Sequence, residues 1–175
     1  MPASFMGRAR RGAIAAVMSM IVTAPCVLAQ TPAEQPKPAD PTKAVFMSAS
    51  DAAAAVAAAA AKQGTAANAL TTIFKIGPYT LYIEHRNPVK QVAAIHDKEA
   101  ELFYVLEGGA TLITGGTIVA PVQRADDKIG TGIEGGTPQK MTKGDFLLIP
   151  AGIPHQITDV QGVFTPLTLH LPMVK

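Results

Sequence analysis

Two short stretches of this chain set metal-ligand side chains against strands. The first, His96 to Gly108, reads HDKEAELFYVLEG, and the second, Gly144 to Asp159, reads GDFLLIPAGIPHQITD. In the first, His96 and Glu101 flank a polar turn, and the alternation that follows describes a strand ending at a glycine turn. In the second, Gly144-Asp145 turns into a buried FLLI strand, Pro150-Ala151-Gly152 turns the chain again, and His155 leads off the next strand. On period-two parity Glu101, Phe103 and Val105 share one face, while Leu102, Tyr104 and Leu106 share the other. A carboxylate turned toward an apolar interior is costly unless paired, and a metal ion removes that cost. His96, Glu101 and His155 supply two imidazoles and one carboxylate, a set that binds a divalent metal and leaves positions open for water, dioxygen or substrate. Iron, manganese, nickel and zinc all suit this set, and the residue types do not choose among them. Glu101 is also the candidate catalytic residue, able to act as a base if it lets go of the metal.

The same stretches resemble the two motifs of the cupin superfamily. In the first motif His96 fits the second histidine, Glu101 the glutamate after a four-residue gap, and Gly108 the closing glycine, while Ala94 stands in the place of the first histidine. In the second motif Gly144, Pro150, Gly152 and His155 fall in place, and Asp159 stands where the family has asparagine. The resemblance covers residues 70–172 and implies a metal site with one of its four usual ligands missing. His85, at the end of the strand before the first motif, ranks ahead of His170 on the last strand as a substitute, and water ranks ahead of both. Stretches from Ala93 through the TLITGG turn to GTGIEGGT further resemble secreted single-domain cupins, for which a fold and a metal site are implied without a substrate.

The elements that must position these residues are short strands. From Leu70 to Leu171 apolar runs are separated by glycine, proline or asparagine with no helical period between them, which means an antiparallel sandwich or barrel. With the resemblance, the expected class is all-β, a double-stranded β-helix or jelly-roll cupin barrel, occupying residues 70–175. The run from Pro121 to Lys143, rich in glycine and charge, reads as a flexible loop at the mouth or across the outside, with Glu134 as its residue to watch. Lys98 and Glu99 read as an exposed polar turn, and Tyr104 has the wrong parity to join Glu101. Tyr79 and Tyr82 suit packing between sheets. Ahead of the barrel, residues 50–69 hold an alanine-rich helix capped by Ser50 or Asp51 and stopped by Gly64, and residues 30–49 a proline-rich tether.

Residues 1–29 read as a signal peptide: Arg8, Arg10 and Arg11, then an apolar run from Gly12 to Thr23, then Val27-Leu28-Ala29 as a cleavage site. The run is too short to span a bilayer, so the expected product is periplasmic or secreted and not an integral membrane protein. Cleavage removes Cys26, the single cysteine, and with it any disulfide or thiol chemistry. It also takes three of the 15 basic residues and none of the 13 acidic ones, turning a net charge of +2 slightly negative. A nucleic-acid partner loses its electrostatic support. The expected partner is a small molecule, and the open strand edges and light helix leave room for a homodimer. Two functions fit: a metal-dependent oxygenase, isomerase or lyase, and a non-catalytic module that binds a small ligand or metal.

Overall fold

A computed structural model describes residues 39–173. The signal peptide assigned to residues 1–29, and the tether up to residue 38, lie outside the described residues. Helix α1 spans Ala49–Gln63. Its cap is Ser48, two residues earlier than expected: the Asp51 amide donates to Ser48 Oγ at 3.1 Å, and that hydroxyl donates back to the Asp51 carboxylate at 2.7 Å. Gly64, at φ 56°, ends it. None of its residues is buried, because an alanine stripe has little surface to hide. Among the described residues no helix is long and apolar enough to cross a membrane.

Twelve strands follow. They are β1 (Asn68–Ile76), β2 (Tyr79–Arg86), β3 (Ala93–His96), β4 (Glu99–Thr114), β5 (Thr117–Val119), β6 (Val122–Arg124), β7 (Asp127–Gly130), β8 (Gly132–Glu134), β9 (Thr137–Thr142), β10 (Phe146–Ile149), β11 (His155–Thr158) and β12 (Phe164–Pro172). Ten of them form one sheet with the path β1-β2-β12-β4-β11-β3-β7-β6, with β9 and β10 also on β4, while β5 and β8 pair separately. All pairings are antiparallel.

The sheet curls on itself because β4 belongs to both layers. Its first half runs between β12 and β10, and its second half between β11 and β9. The bend falls at Gly108, whose φ is 76° and where a Cβ would lie 1.8 Å from the Val163 carbonyl oxygen, so only glycine fits. Phe103, Val105, Ala110, Leu112, Met141, Ile149, Ile157 and Phe164 fill the space between the layers. The architecture is a curled, jelly-roll-like sheet with one N-terminal helix.

The parity expected for β4 holds, since Glu101, Phe103 and Val105 are buried and Leu102, Tyr104 and Leu106 are not. The segment Pro121 to Lys143 is not a loop. It makes β6, β7, β8 and β9, strands in which Gly130 and Met141 are the only buried residues, so no apolar alternation marks them. Glu134 pairs with Thr117 at the end of β8 and is exposed.

Candidate metal centre

Register alone brings four side chains to one point. His155 on β11 lies opposite Ala94 on β3, two residues from His96, so both histidines face the same interior. Glu101 on β4 lies opposite His170 on β12, which brings a third imidazole from the other layer. The turn before β11 is pinned to the first motif, since the Gly152 amide donates to the His96 carbonyl oxygen at 2.8 Å.

Each imidazole has its Nδ1 satisfied by an oxygen. His96 Nδ1 is 2.9 Å from Asp127 Oδ1, His155 Nδ1 is 3.2 Å from the Ile153 carbonyl oxygen, and His170 Nδ1 is 2.7 Å from Glu99 Oε2. None of these oxygens can donate when ionised or carbonyl, so each Nδ1 carries the hydrogen, and in the neutral ring Nε2 is a lone pair. All three Nε2 atoms face the same carboxylate: His155 and His96 stand 3.0 and 3.7 Å from Glu101 Oε2, and His170 stands 3.5 Å from Glu101 Oε1. None of these approaches is aligned as a hydrogen bond, and Glu101 Oε2 is buried with no hydrogen-bond partner.

An orphaned buried oxygen ringed by imidazole nitrogens fits a divalent cation. Ligands held about 2.1 Å from an ion stand about 3.0 Å apart across a right angle and about 3.4 Å apart across a tetrahedral one. The observed 3.0, 3.5 and 3.7 Å bracket that range. Ligand atoms of His96, Glu101 and His170 all lie within 4.8 Å of one another, a His/Glu/His cluster able to coordinate a divalent metal. His155 is not one of that group; its Nε2 approaches Glu101 Oε2 at 3.0 Å from beside it, and its ring centroid is 5.3 Å from that of His96.

Without an ion the cluster holds itself together by charge. Burial works against an ionised Glu101, yet the approach of His155 and His170, with the charges of His155 and His96, outweighs it and keeps the carboxyl well below the usual carboxylate range. Burial likewise pulls His170 down, but Glu101 and then Glu99 lift it to about 9. At neutral pH the metal-free His170 ring is therefore an imidazolium, occupying with a proton the position a cation would take.

Of the ligands expected from sequence, His96 and Glu101 belong to the metal-competent cluster, which His170 completes, while His155 stands 3.0 Å from Glu101. His85 is elsewhere: its Nδ1 lies 2.6 Å from Gln63 Oε1, where it ties β2 to the end of α1. Glu99 is no idle turn residue, since it holds the His170 ring. Asp127, inside the stretch whose composition reads as a loop, does the same for His96. Tyr104 packs outward on Phe146 with centroids 4.4 Å apart, whereas Tyr82 lies edge-on to His170 at 5.5 Å.

No family model matches the sequence, and no curated protein is similar enough to match. Solved structures similar to the chain include the Cnp3 cupin domain of Schizosaccharomyces pombe, at 13% identity and TM-score 0.45, over 61% of this chain and 65% of that one. They also include the TT1209 protein from Thermus thermophilus, at 16% identity and TM-score 0.47, over 62% and 87%. KdgF from a Halomonas species matches at 11% identity and TM-score 0.46, over 63% and 85%. Likenesses this distant carry no conclusion about chemistry, which has to come from the side chains.

Proposed function

We propose that this chain is a secreted or periplasmic, metal-dependent module that acts on a small molecule at a centre built from His96, Glu101, His155 and His170. The observation that supports it is the convergence of three Nδ1-anchored imidazoles on the buried Glu101 carboxylate, whose Oε2 has no hydrogen-bond partner. A divalent ion there would supply Lewis acidity or an activated water. Glu101 serves as ligand, since a carboxyl held this low is a weak base, and it becomes a base only on release from the ion. Access is from the side of His96 and His170, whose side chains keep 16% and 17% exposure against 8% for His155 and 5% for Glu101. A small substrate would arrive past those two rings.

The ligand count also separates the two functions. Three histidines and one glutamate fill a tetrahedral zinc ion, giving a closed site suited to binding or structure. The same four on six-coordinate iron, manganese or nickel leave two positions free for oxygenase, isomerase or lyase chemistry. The deciding experiment is elemental analysis of the purified protein, followed by oxygen-uptake and isomerisation assays on the loaded form. About one iron, manganese or nickel per chain, lost in Glu101→Gln, supports the catalytic reading. One zinc with no turnover moves it to the binding module, and no metal after loading with each ion ends it.

A further inference from the structure

We infer that a hollow on the flank of β11 is a second binding site, sharing no residue with the metal centre, and that it takes a short aliphatic peptide in extended form. The hollow measures about 380 Å³, within the roughly 300–1,000 Å³ of small-ligand sites. One wall is β11 from Gln156 onward, continued by Asp159 and Val160, and the other is the connection from β2 to β3, from Pro88 to Gln91. A strand is missing between them. β4 pairs with β11 along its whole length, but β3 pairs only with His155 and Gln156. Among the described residues, Ile157 and Thr158 therefore have a strand neighbour on the β4 side alone. An extended chain can add at such a place, as peptides add to the open edges of sheets.

The side chains select the occupant. Gln156 is 6% exposed, and its Nε2 donates to the Gln91 carbonyl oxygen at 2.9 Å. That donation fixes the amide, since only its nitrogen can face a carbonyl, and among the described residues Oε1 is left without a hydrogen bond. Gln91 cannot serve it: its own Nε2 donates to the carbonyl oxygens of Ala67, Asn87 and Val89, and its Oε1 accepts from Arg86. A nearly buried acceptor on the lining thus waits for a ligand N–H. Lys90 and Asp159 are exposed, one on each wall, and neither has an ion-pair partner among the described residues. The first suits a carboxylate and the second an ammonium, the two ends of a free peptide. Pro88, Val89 and Val160 make the apolar lining, and no aromatic ring borders the hollow for a flat ligand to stack on. A short aliphatic peptide meets all of these at once: its N–H suits Oε1, its main chain the bare strand edge, and its ends the two opposite charges.

The test is an NMR titration of the isotope-labelled protein with trialanine, in the presence of a chelator so that no metal can hold the peptide. Saturable binding with a Kd of about 1 mM or tighter is expected, with shifts confined to the amides of Val89 to Gln91 and Gln156 to Val160. Trialanine methylated on its amide nitrogens lacks the donors, and free alanine lacks the peptide bond, so each should bind at least about 10-fold more weakly. Gln156→Met, which keeps the bulk and removes the acceptor, should weaken trialanine about 10-fold. Lys90→Ala/Asp159→Ala, at exposed positions, gives a second reading should Gln156→Met fail to fold, and should weaken it at least about threefold. No saturation by about 10 mM overturns the inference. So do shifts centred on the metal ligands, a methylated peptide that binds as tightly, or wild-type affinity in both variants.

Discussion

Replacing His170 by alanine should weaken metal binding, although no motif contains this residue. Removing a group that merely orients a metal ligand costs roughly 10- to 100-fold in affinity, and a direct ligand should cost at least the upper figure. At saturating metal a 100-fold rise in Kd removes about 2.7 kcal/mol of ligand-linked stabilisation. For a domain of this size each kcal/mol moves Tm by about 4 °C, so the metal-induced rise in Tm should shrink by about 10 °C. The quantity to compare is that rise and not Tm itself, because the metal-free variant also loses the imidazolium that balances buried Glu101. Differential scanning calorimetry with and without each candidate metal reads it directly. His85→Ala is the control: it breaks the contact with Gln63 but should leave the metal-induced rise unchanged. If His170→Ala keeps the wild-type rise and the wild-type stoichiometry, the four-ligand centre is wrong and His170 only neutralises the carboxylate.

Four other outcomes follow from the structure. Glu99→Ala and Asp127→Ala should each lower metal affinity about 10- to 100-fold, measured by chelator competition, since each frees the ring it holds by Nδ1. Metal affinity should rise about tenfold per pH unit on approaching pH 9 from below, because the ion must displace the His170 proton, and titration calorimetry at several pH values should show that proton released. In the metal-free protein the sign is opposite: the His170 pKa is raised from 6.5 to about 9 on folding, so its stabilisation is complete below pH 6.5 and is lost as pH rises through 9, which urea titrations would detect. Gly108→Ala should destabilise by more than about 2 kcal/mol in urea unfolding, because it combines a positive φ with a Cβ inside van der Waals range of a backbone oxygen.

The barrel was legible because its core strands alternate, and β4 could be assigned an inner and an outer face from parity alone. The polar strands were not, since β7 and β9 each bury one residue and lean on backbone pairing with β3 and β4. That gap hid Asp127, which meets His96 only through the β3 and β7 register. Glu99 was hidden differently. Beside Lys98 it has the composition of an exposed turn, yet it opens β4 directly opposite Pro172 at the end of β12 and so reaches His170.

His170 shows where sequence spacing stops being informative. A motif records ligands that lie close along the chain, and by that measure Ala94 leaves a vacancy. The site, however, is closed by strands from both layers, and any inward position beside Glu101 can fill it. Position 170 is such a place because β12 runs antiparallel to β4 with 170 opposite 101. Leu167, Thr168, Leu169, His170 and Leu171 alternate, so His170 shares a face with Thr168, but three leucines on the other face leave the sequence unable to say which face is inner. The structure decides it, since Thr168 is fully buried opposite Phe103. Only the register, fixed by the bulge between Thr165 and Pro166 and by the Gly108 bend, decided which β4 residue it would meet. Moving that bulge by one residue would turn His170 outward among the leucines and Leu169 or Leu171 into the centre. The metal site and the apolar outer face are thus set by the same register, and a change that shifts one must disrupt the other.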